Sequence, residues 1–186
     1  MNKQIYIDFD GVIVDSQNQI NELFRQYGNK ITAEWNNRLE KIEWKKEILP
    51  NANEINNSFS ILRELYEMKK EVHILSRVFS KGEANDKAEY LKERGIFIPF
   101  IPSYGRVKKS MVVTPNSSRL LVDDSSDNII DWNTNNGQGF YFTLDEEYLK
   151  KYKNIDFNGE YFQNIDGQNY FKNSVSDLSF LLKKTL

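Results

Sequence analysis

Five short apolar runs are spread along the chain, at residues 4–9 (QIYIDF), 71–76 (EVHILS), 96–101 (IFIPFI), 119–124 (RLLVDD) and 139–143 (GFYFT), and most are separated by stretches with helical periodicity. This alternation constrains the fold more than any other feature. A continuous apolar run reads as a strand buried on both faces, and a helix between two such strands is the crossover that makes them parallel. Residues 55–70 carry Phe59, Leu62, Leu65, Tyr66 and Met68 at helical spacing. Residues 82–95 place Ala84, Ala88 and Leu91 on one face before Gly95 closes the helix. The expected architecture is α/β: a three-layer, Rossmann-like fold with a mainly parallel sheet.

Between the first and second runs lies an insertion far longer than a crossover needs. Ser16 and Gln19 form a capping-box pattern that opens a helix through Ile20, Leu23, Phe24 and Tyr27, and a second helix is predicted from about Ala33 to Ile48. Residues 16–57 therefore read as a small helical cap on a core made of residues 1–15 and 58–186. The cap leaves the sheet at the carboxyl end of the first strand, where open α/β sheets bind ligands. After Thr143 the chain is polar and aromatic with Asn-Gly and Asp-Gly turn signals, which predicts a hairpin or an irregular flap. The last segment, from Ser174, has a capping-box pattern at Ser174 and Asp177 and predicts a terminal helix.

Composition narrows the chemistry. With 186 residues the chain fits one domain, or one with an inserted subdomain, and can bury roughly 70% of its unfolded surface. It has no cysteine and one histidine, so disulfides and thiolate metal sites are excluded, and a bound metal would be held by oxygen ligands or by His73, which points toward hard cations such as Mg²⁺. A net charge of -2 gives no global reason to bind a nucleic-acid backbone, and the basic residues fall in small clusters. No apolar run approaches a membrane span, and the N-terminal apolar stretch is too short for a signal peptide, so a cytoplasmic protein is expected.

The chemistry-bearing residues sit at the ends of the runs. In IYIDFDGVIVDS, residues 5–16, an Asp-Gly pair between apolar stretches would by itself signal a hairpin. The strand-helix alternation weakens that reading. Asp8 and Asp10 follow the first run, Ser76 ends the second, Lys108 and Lys109 follow the third, and Asp123 and Asp124 end the fourth. A parallel sheet puts all of them along one edge. Two carboxylates about 4 Å apart repel by about 4 kcal/mol at an effective dielectric of 20, so the four acids need a compensating cation. Mg²⁺ suits such a set.

In this order and spacing the four motifs, DFDGVIVDS, Ser76, Lys109 (or Lys108) and VDDSSDN, resemble those of the haloacid dehalogenase (HAD) superfamily of aspartate-nucleophile phosphohydrolases. The resemblance implies that Asp8 attacks phosphorus and that Asp10 acts as general acid and base. It implies that Asp8, the main-chain carbonyl of Asp10 and one of Asp123 and Asp124 hold Mg²⁺, with Asp124 favoured by alignment. Ser76 and Lys109 would clamp the phosphoryl oxygens. Arg77, by its position after Ser76, could reach a substrate anion or form a structural salt bridge. Pattern does not separate Lys108 from Lys109. Asp10 points to a phosphatase or phosphomutase, since dehalogenating members lack the second acid and ion-pumping members carry threonine there.

The insertion after VDS and the LVDD ending look most like the 5'(3')-deoxyribonucleotidase-like group, which implies a nucleoside monophosphate as the small phosphorylated substrate. A sugar phosphate, the 3'-phosphate end of a nucleic acid, and a non-catalytic binding protein are the alternatives. Phe24, Tyr27, Trp35 and Trp44 could stack on a base. Phe9 reads as packing, Asp127 as the start of a helix, and His73 has no assigned role.

Overall fold

The computed structural model describes residues 3–158 and 160–183. The chain opens with β1 (Gln4–Ile7), turns into the short β2 (Val14–Asp15), and runs through α1 (Gln17–Gln26), α2 (Ala33–Leu39), α3 (Trp44–Glu47) and a 3-10 turn to β3 (Asn53–Glu54). Strand and helix then alternate: α4 (Ser58–Glu67), β4 (Glu71–Val78), α5 (Lys81–Glu93), β5 (Phe100–Tyr104), α6 (Lys109–Val112), β6 (Arg119–Asp123), α7 (Ser126–Thr134) and β7 (Gln138–Phe142). The remainder comprises α8 (Glu146–Tyr152), β8 (Phe162–Ile165), β9 (Gln168–Phe171), β10 (Ser174–Val175) and a 3-10 turn, Ser179–Leu182.

Six strands form one parallel sheet in the order β10-β7-β6-β1-β4-β5. The first strand is central. Ile7 pairs with Ile74 on one side and Val122 on the other, and Ile5, Tyr6 and Ile7 are all buried. Alternate side chains feed two cores. Ile5, Ile7, Ile74 and Val122 join Leu62, Leu65 and Leu91 of α4 and α5, while Tyr6, Leu75 and Leu121 join Ile129 and Trp132 of α7. A sheet covered on both faces explains why its strands read as continuous apolar runs. The chain winds outward from β1 through β4 and β5, then crosses back to β6 and continues to β7 and β10. This reversal beside β1 opens a crevice at the carboxyl edge.

Several predicted boundaries move. Ser16 stands at the N-cap of α1 but makes no capping hydrogen bond; its hydroxyl donates to Asp10 instead. The helix predicted over 33–48 is two helices. Ile42 between them is drawn into the core, and the Glu43 N–H donates to Glu47 to restart the helix. The third apolar run enters the sheet only at Phe100. The predicted terminal helix is absent from the described residues: Ser174 and Val175 pair with Tyr141 and Phe142 and cover the edge of β7, and Asp177 accepts from Ser179 N–H in a 3-10 turn. An open strand edge offers backbone partners that a short capping pattern does not. Residues 184–186 of that prediction lie outside the described residues.

In the insertion, Ile42, Trp44, Ile48, Leu49, Ala52 and Ile55 share the core of the central sheet, whereas α1 has no buried residue. The antiparallel pair β2–β3 returns the chain beside its point of departure, where Ser58 donates to the Ile13 carbonyl at 2.8 Å. Residues 144–172 form α8 and the β8–β9 hairpin, closed by Asp166-Gly167 with both φ angles positive. Tyr148, Phe157 and Tyr170 give this part its own aromatic cluster, which leans on Tyr141. Among the described residues no helix is long and apolar enough to cross a membrane.

Phe9 is wedged between the two aspartates of the first motif, fully buried and edge-on to Tyr90 and Phe100 at 6.1 and 6.5 Å. Phe9→Ala is expected to cost about 3–5 kcal/mol in urea denaturation. A loss below about 1 kcal/mol would show that the wedge is dispensable.

Candidate active site

Parallel pairing of β1 with β6 sets Asp8 beside Asp123. The Asp8 N–H donates to the Val122 carbonyl at 2.9 Å, and adjacent strands lie about 4.8 Å apart. The buried ammonium of Lys109, the first residue of α6, sits between the two carboxylates, 2.9 Å from Asp8 Oδ1 and 2.6 Å from Asp123 Oδ2. Asp8 Oδ1 also accepts from the Phe9 N–H at 2.8 Å, and Oδ2 has no donor among the described residues. Asp123 is saturated, because Ser125 N–H and the Asn128 amide donate to it as well, at 2.9 to 3.1 Å.

Asp124 is the third acid. It is exposed toward the cavity and accepts no hydrogen bond among the described residues. Gly11 lets it approach: φ is +72° there, and a Cβ would fall 2.1 Å from Asp124 Oδ2. Asp8, Asp123 and Asp124 offer oxygens within 4.8 Å of one another. Three carboxylates against one ammonium leave negative charge in excess.

Proton affinities reflect that excess. Burial pushes Asp8 up to about 7, with Lys109 opposing and Asp123 and Asp10 adding to the rise. Loss of solvation within the cavity walls, then Asp8 and Asp123, push Asp124 up to about 8 although its carboxylate faces the cavity. For Lys109, burial disfavours the ammonium, but Asp123 and Asp8 outweigh it and raise the pKa.

A second charged cluster surrounds Asp10. Its Oδ1 accepts from the Ser16 hydroxyl and its Oδ2 from the Lys87 ammonium, both at 2.5 Å. Lys87, on α5, is fully buried. It also donates to Glu83 Oε1 at 2.7 Å and to the Arg77 carbonyl at 3.2 Å, and it lies 4.1 Å from the Trp44 ring centroid. Burial raises the Glu83 pKa against the pull of Lys87. The motif order does not point to Lys87. The signal was its position: residue 87 shares the stripe of Ala84, Ala88 and Leu91, and a lysine on a buried stripe needs an acid.

Asp8, Asp10, Asp124 and Arg77 open onto a cavity of about 380 Å³ whose outer wall includes Ile20, Phe24, Trp35, Trp44 and Phe79. Lys109 and Asp123 lie beneath it. Ser76, expected as a phosphoryl clamp, lies inside β4, which continues to Val78; it is fully buried, and its hydroxyl is 3.2 Å from the Arg77 carbonyl and 3.4 Å from both Asp10 Oδ2 and the Lys87 ammonium. Lys108 is exposed and pairs with Asp131 at 2.8 Å. Asp127 stands in the first turn of α7, and His73 stacks on Tyr6. Tyr27 leans on Trp35 rather than lining the cavity, and none of the described residues of 144–172 lines it.

No protein-family model matches this sequence, and no curated protein does. Solved structures do match. A Bacteroides fragilis protein described as a haloacid dehalogenase-like hydrolase aligns with a TM-score of 0.60 at 13% identity, covering 97% of this chain and 100% of its own. The fold is that of the haloacid dehalogenase-like hydrolases. A Thermotoga maritima protein described as a β-phosphoglucomutase aligns with a TM-score of 0.56 at 13% identity, over 99% and 100% of the two chains. A HAD-superfamily hydrolase from Ehrlichia chaffeensis gives 0.51 at 14% identity, over 78% and 90%. In this HAD fold the acids, Lys109 and the cavity all lie at the carboxyl edge of the sheet.

Two outcomes are expected of the acid cluster. Lys109→Met leaves two buried carboxylates without their cation and should cost about 3–5 kcal/mol, whereas Lys108→Met, at an exposed pair, should cost under about 1 kcal/mol. Equal losses in chemical denaturation would contradict the burial difference. Asp8 and Asp124 hold protons in the folded chain at pH values where an unfolded carboxyl, at its ordinary 3.8, has lost them. Stability in chelator should therefore fall as pH rises from about 4 to about 8. Asp124→Asn should flatten that slope in thermal melts.

Proposed function

We propose that this protein is a Mg²⁺-dependent phosphomonoesterase that works through an aspartyl-phosphate on Asp8. The observation that carries the reading is the environment of Asp8, whose Oδ1 is held by Lys109 and Phe9 N–H while the side chain opens onto the cavity beside Asp124. The donor set fits a hard divalent cation: the ligands are all oxygen, they converge, and they are under-neutralised. Asp8, Asp124 and the main-chain carbonyl of Asp10 would hold Mg²⁺, which would keep the carboxylates ionised and neutralise phosphoryl charge. Asp123, saturated by its neighbours, holds Lys109 rather than the metal.

In the first step Asp8 attacks phosphorus and the ester P–O bond breaks, with Asp10 donating a proton to the leaving oxygen. In the second, Asp10 takes a proton from the water that attacks phosphorus, and the bond to Asp8 breaks to release phosphate. Lys109 fixes the orientation of Asp8 throughout. Arg77, on the cavity wall, is placed to meet a substrate anion.

For the leaving group we favour a nucleoside, as in the nucleotidase-like reading. The wall formed by Ile20, Phe24, Trp35 and Phe79 suits a planar base, and Gln17 and Asn21 supply amides for its edge. Stacking of a base on an aromatic ring contributes about 1–3 kcal/mol. A sugar phosphate would set its hydroxyls against the same apolar wall. A second reading, the 3'-phosphate end of a nucleic acid, draws on a neighbouring cavity of about 630 Å³ that shares Arg77 and Asn128 and adds Arg106 and Lys108.

Phosphate release from nucleoside monophosphates, sugar phosphates and a 3'-phosphorylated oligonucleotide, with Mg²⁺ and with chelator, tests these readings. Nucleotide turnover should require Mg²⁺ and fall at least about 1,000-fold in Asp8→Asn. Trp35→Ala should raise KM for the nucleotide about 10-fold. Preference for a sugar phosphate or the oligonucleotide would replace the substrate assignment. No turnover of any ester by folded, Mg²⁺-binding protein would favour a binding protein.

A further inference from the structure

We infer that Lys87 is a positioning residue for Asp10, fixing Oδ2 of its carboxylate so that Oδ1 is the oxygen that carries the proton to and from the substrate. The inference rests on the phosphomonoesterase reading for the role of Asp10, and on the contacts of Lys87 for the rest.

A buried ammonium has three N–H donors and no acceptor. Lys87 has four oxygens within reach, Asp10 Oδ2 at 2.5 Å, Glu83 Oε1 at 2.7 Å, the Arg77 carbonyl at 3.2 Å and, longest, the Ser76 hydroxyl at 3.4 Å. A purely structural ion pair on α5 would close with Glu83 alone, one turn away on the same helix. The third element of the cluster, the loop after β1, brings a carboxylate that also lines the catalytic cavity. Trp44, from the insertion, lies against the ammonium and shields it from water.

The two short donors to Asp10 differ in what they permit. Opposite Lys87, 2.5 Å away, Oδ2 faces a group that cannot accept a proton, and the Ser76 hydroxyl, 3.4 Å from both Oδ2 and the ammonium, accepts from Lys87 and donates to Oδ2, so Oδ2 stays an acceptor. Opposite the Ser16 hydroxyl, 2.5 Å away, Oδ1 faces a group that donates or accepts with equal ease. When Asp10 is protonated, Ser16 can reverse its hydrogen bond without leaving a buried group unpaired. Lys87 thus selects the working oxygen and holds the carboxylate plane while the proton moves.

A double-mutant cycle tests the assignment. Lys87→Met should lower kcat for an alkyl phosphate about 100-fold with little change in KM, because the poor leaving group needs the proton from Asp10. First-turnover release of 4-nitrophenolate, a leaving group that needs no proton, should fall less than about 5-fold. In an Asp10→Asn background, Lys87→Met should have no further effect. Equal losses for both esters, or additive effects in the cycle, would overturn the inference.

If Lys87→Met is too unstable to assay, Lys87→Met with Glu83→Gln removes one stranded acid and carries the same expectations. Crystal structures of the wild type and the variant give a readout independent of turnover. A displaced Asp10 carboxylate supports the inference, and an unmoved one overturns it, even should the wild type hydrolyse no ester and the phosphomonoesterase reading fail.

Discussion

The Lys109 ammonium between Asp8 and Asp123 is the interaction on which the site depends. Parallel pairing of β1 with β6 forces two carboxylates side by side at the sheet edge, and Asp124 adds a third. Without a buried cation the arrangement would carry a repulsion of several kcal/mol. Lys109 relieves enough of it for the chain to fold, but not all. The remaining excess keeps the proton affinities of Asp8 and Asp124 high and makes this edge a place where a divalent cation would be stabilising.

The same tension is resolved differently around Asp10. There a second lysine, on a different helix, meets two acids, and the hydroxyls of Ser16 and, at longer range, Ser76 also donate to Asp10. Phe9 separates the two clusters by burying its ring in the core between the aspartates. Each carboxylate of the first motif therefore has its own cation, and their environments differ although only one residue separates them. Placing unlike environments around neighbouring acids is how a single loop can support a nucleophile and a proton carrier.

Much of this was legible in the residues. Apolar runs ending in acids, with a lysine following one of them, spaced by helical patterns, imply a parallel sheet with those groups on one edge, and the sheet has that form. The choice between the adjacent lysines was not legible, since both lie where α6 begins. Burial distinguishes them: Lys109 points under the sheet edge and Lys108 into solvent. Ser16 illustrates a local rule losing to a tertiary partner. Its position fits a capping box, yet a carboxylate acceptor nearby makes a stronger hydrogen bond than a backbone N–H that water can also satisfy.

The pattern of residues alone determined the layered α/β fold, the strand-end acids and the exclusion of thiolate chemistry, because hydrophobic periodicity and residue type are local properties. Tertiary structure alone decided which lysine serves Asp8, that Lys87 serves Asp10, that Ser76 is buried, and that residues 174–175 close the sheet edge instead of starting a helix. Each of those outcomes depends on a partner distant in the chain. A buried charge takes its role from whatever desolvates and pairs it, and no local pattern names that partner.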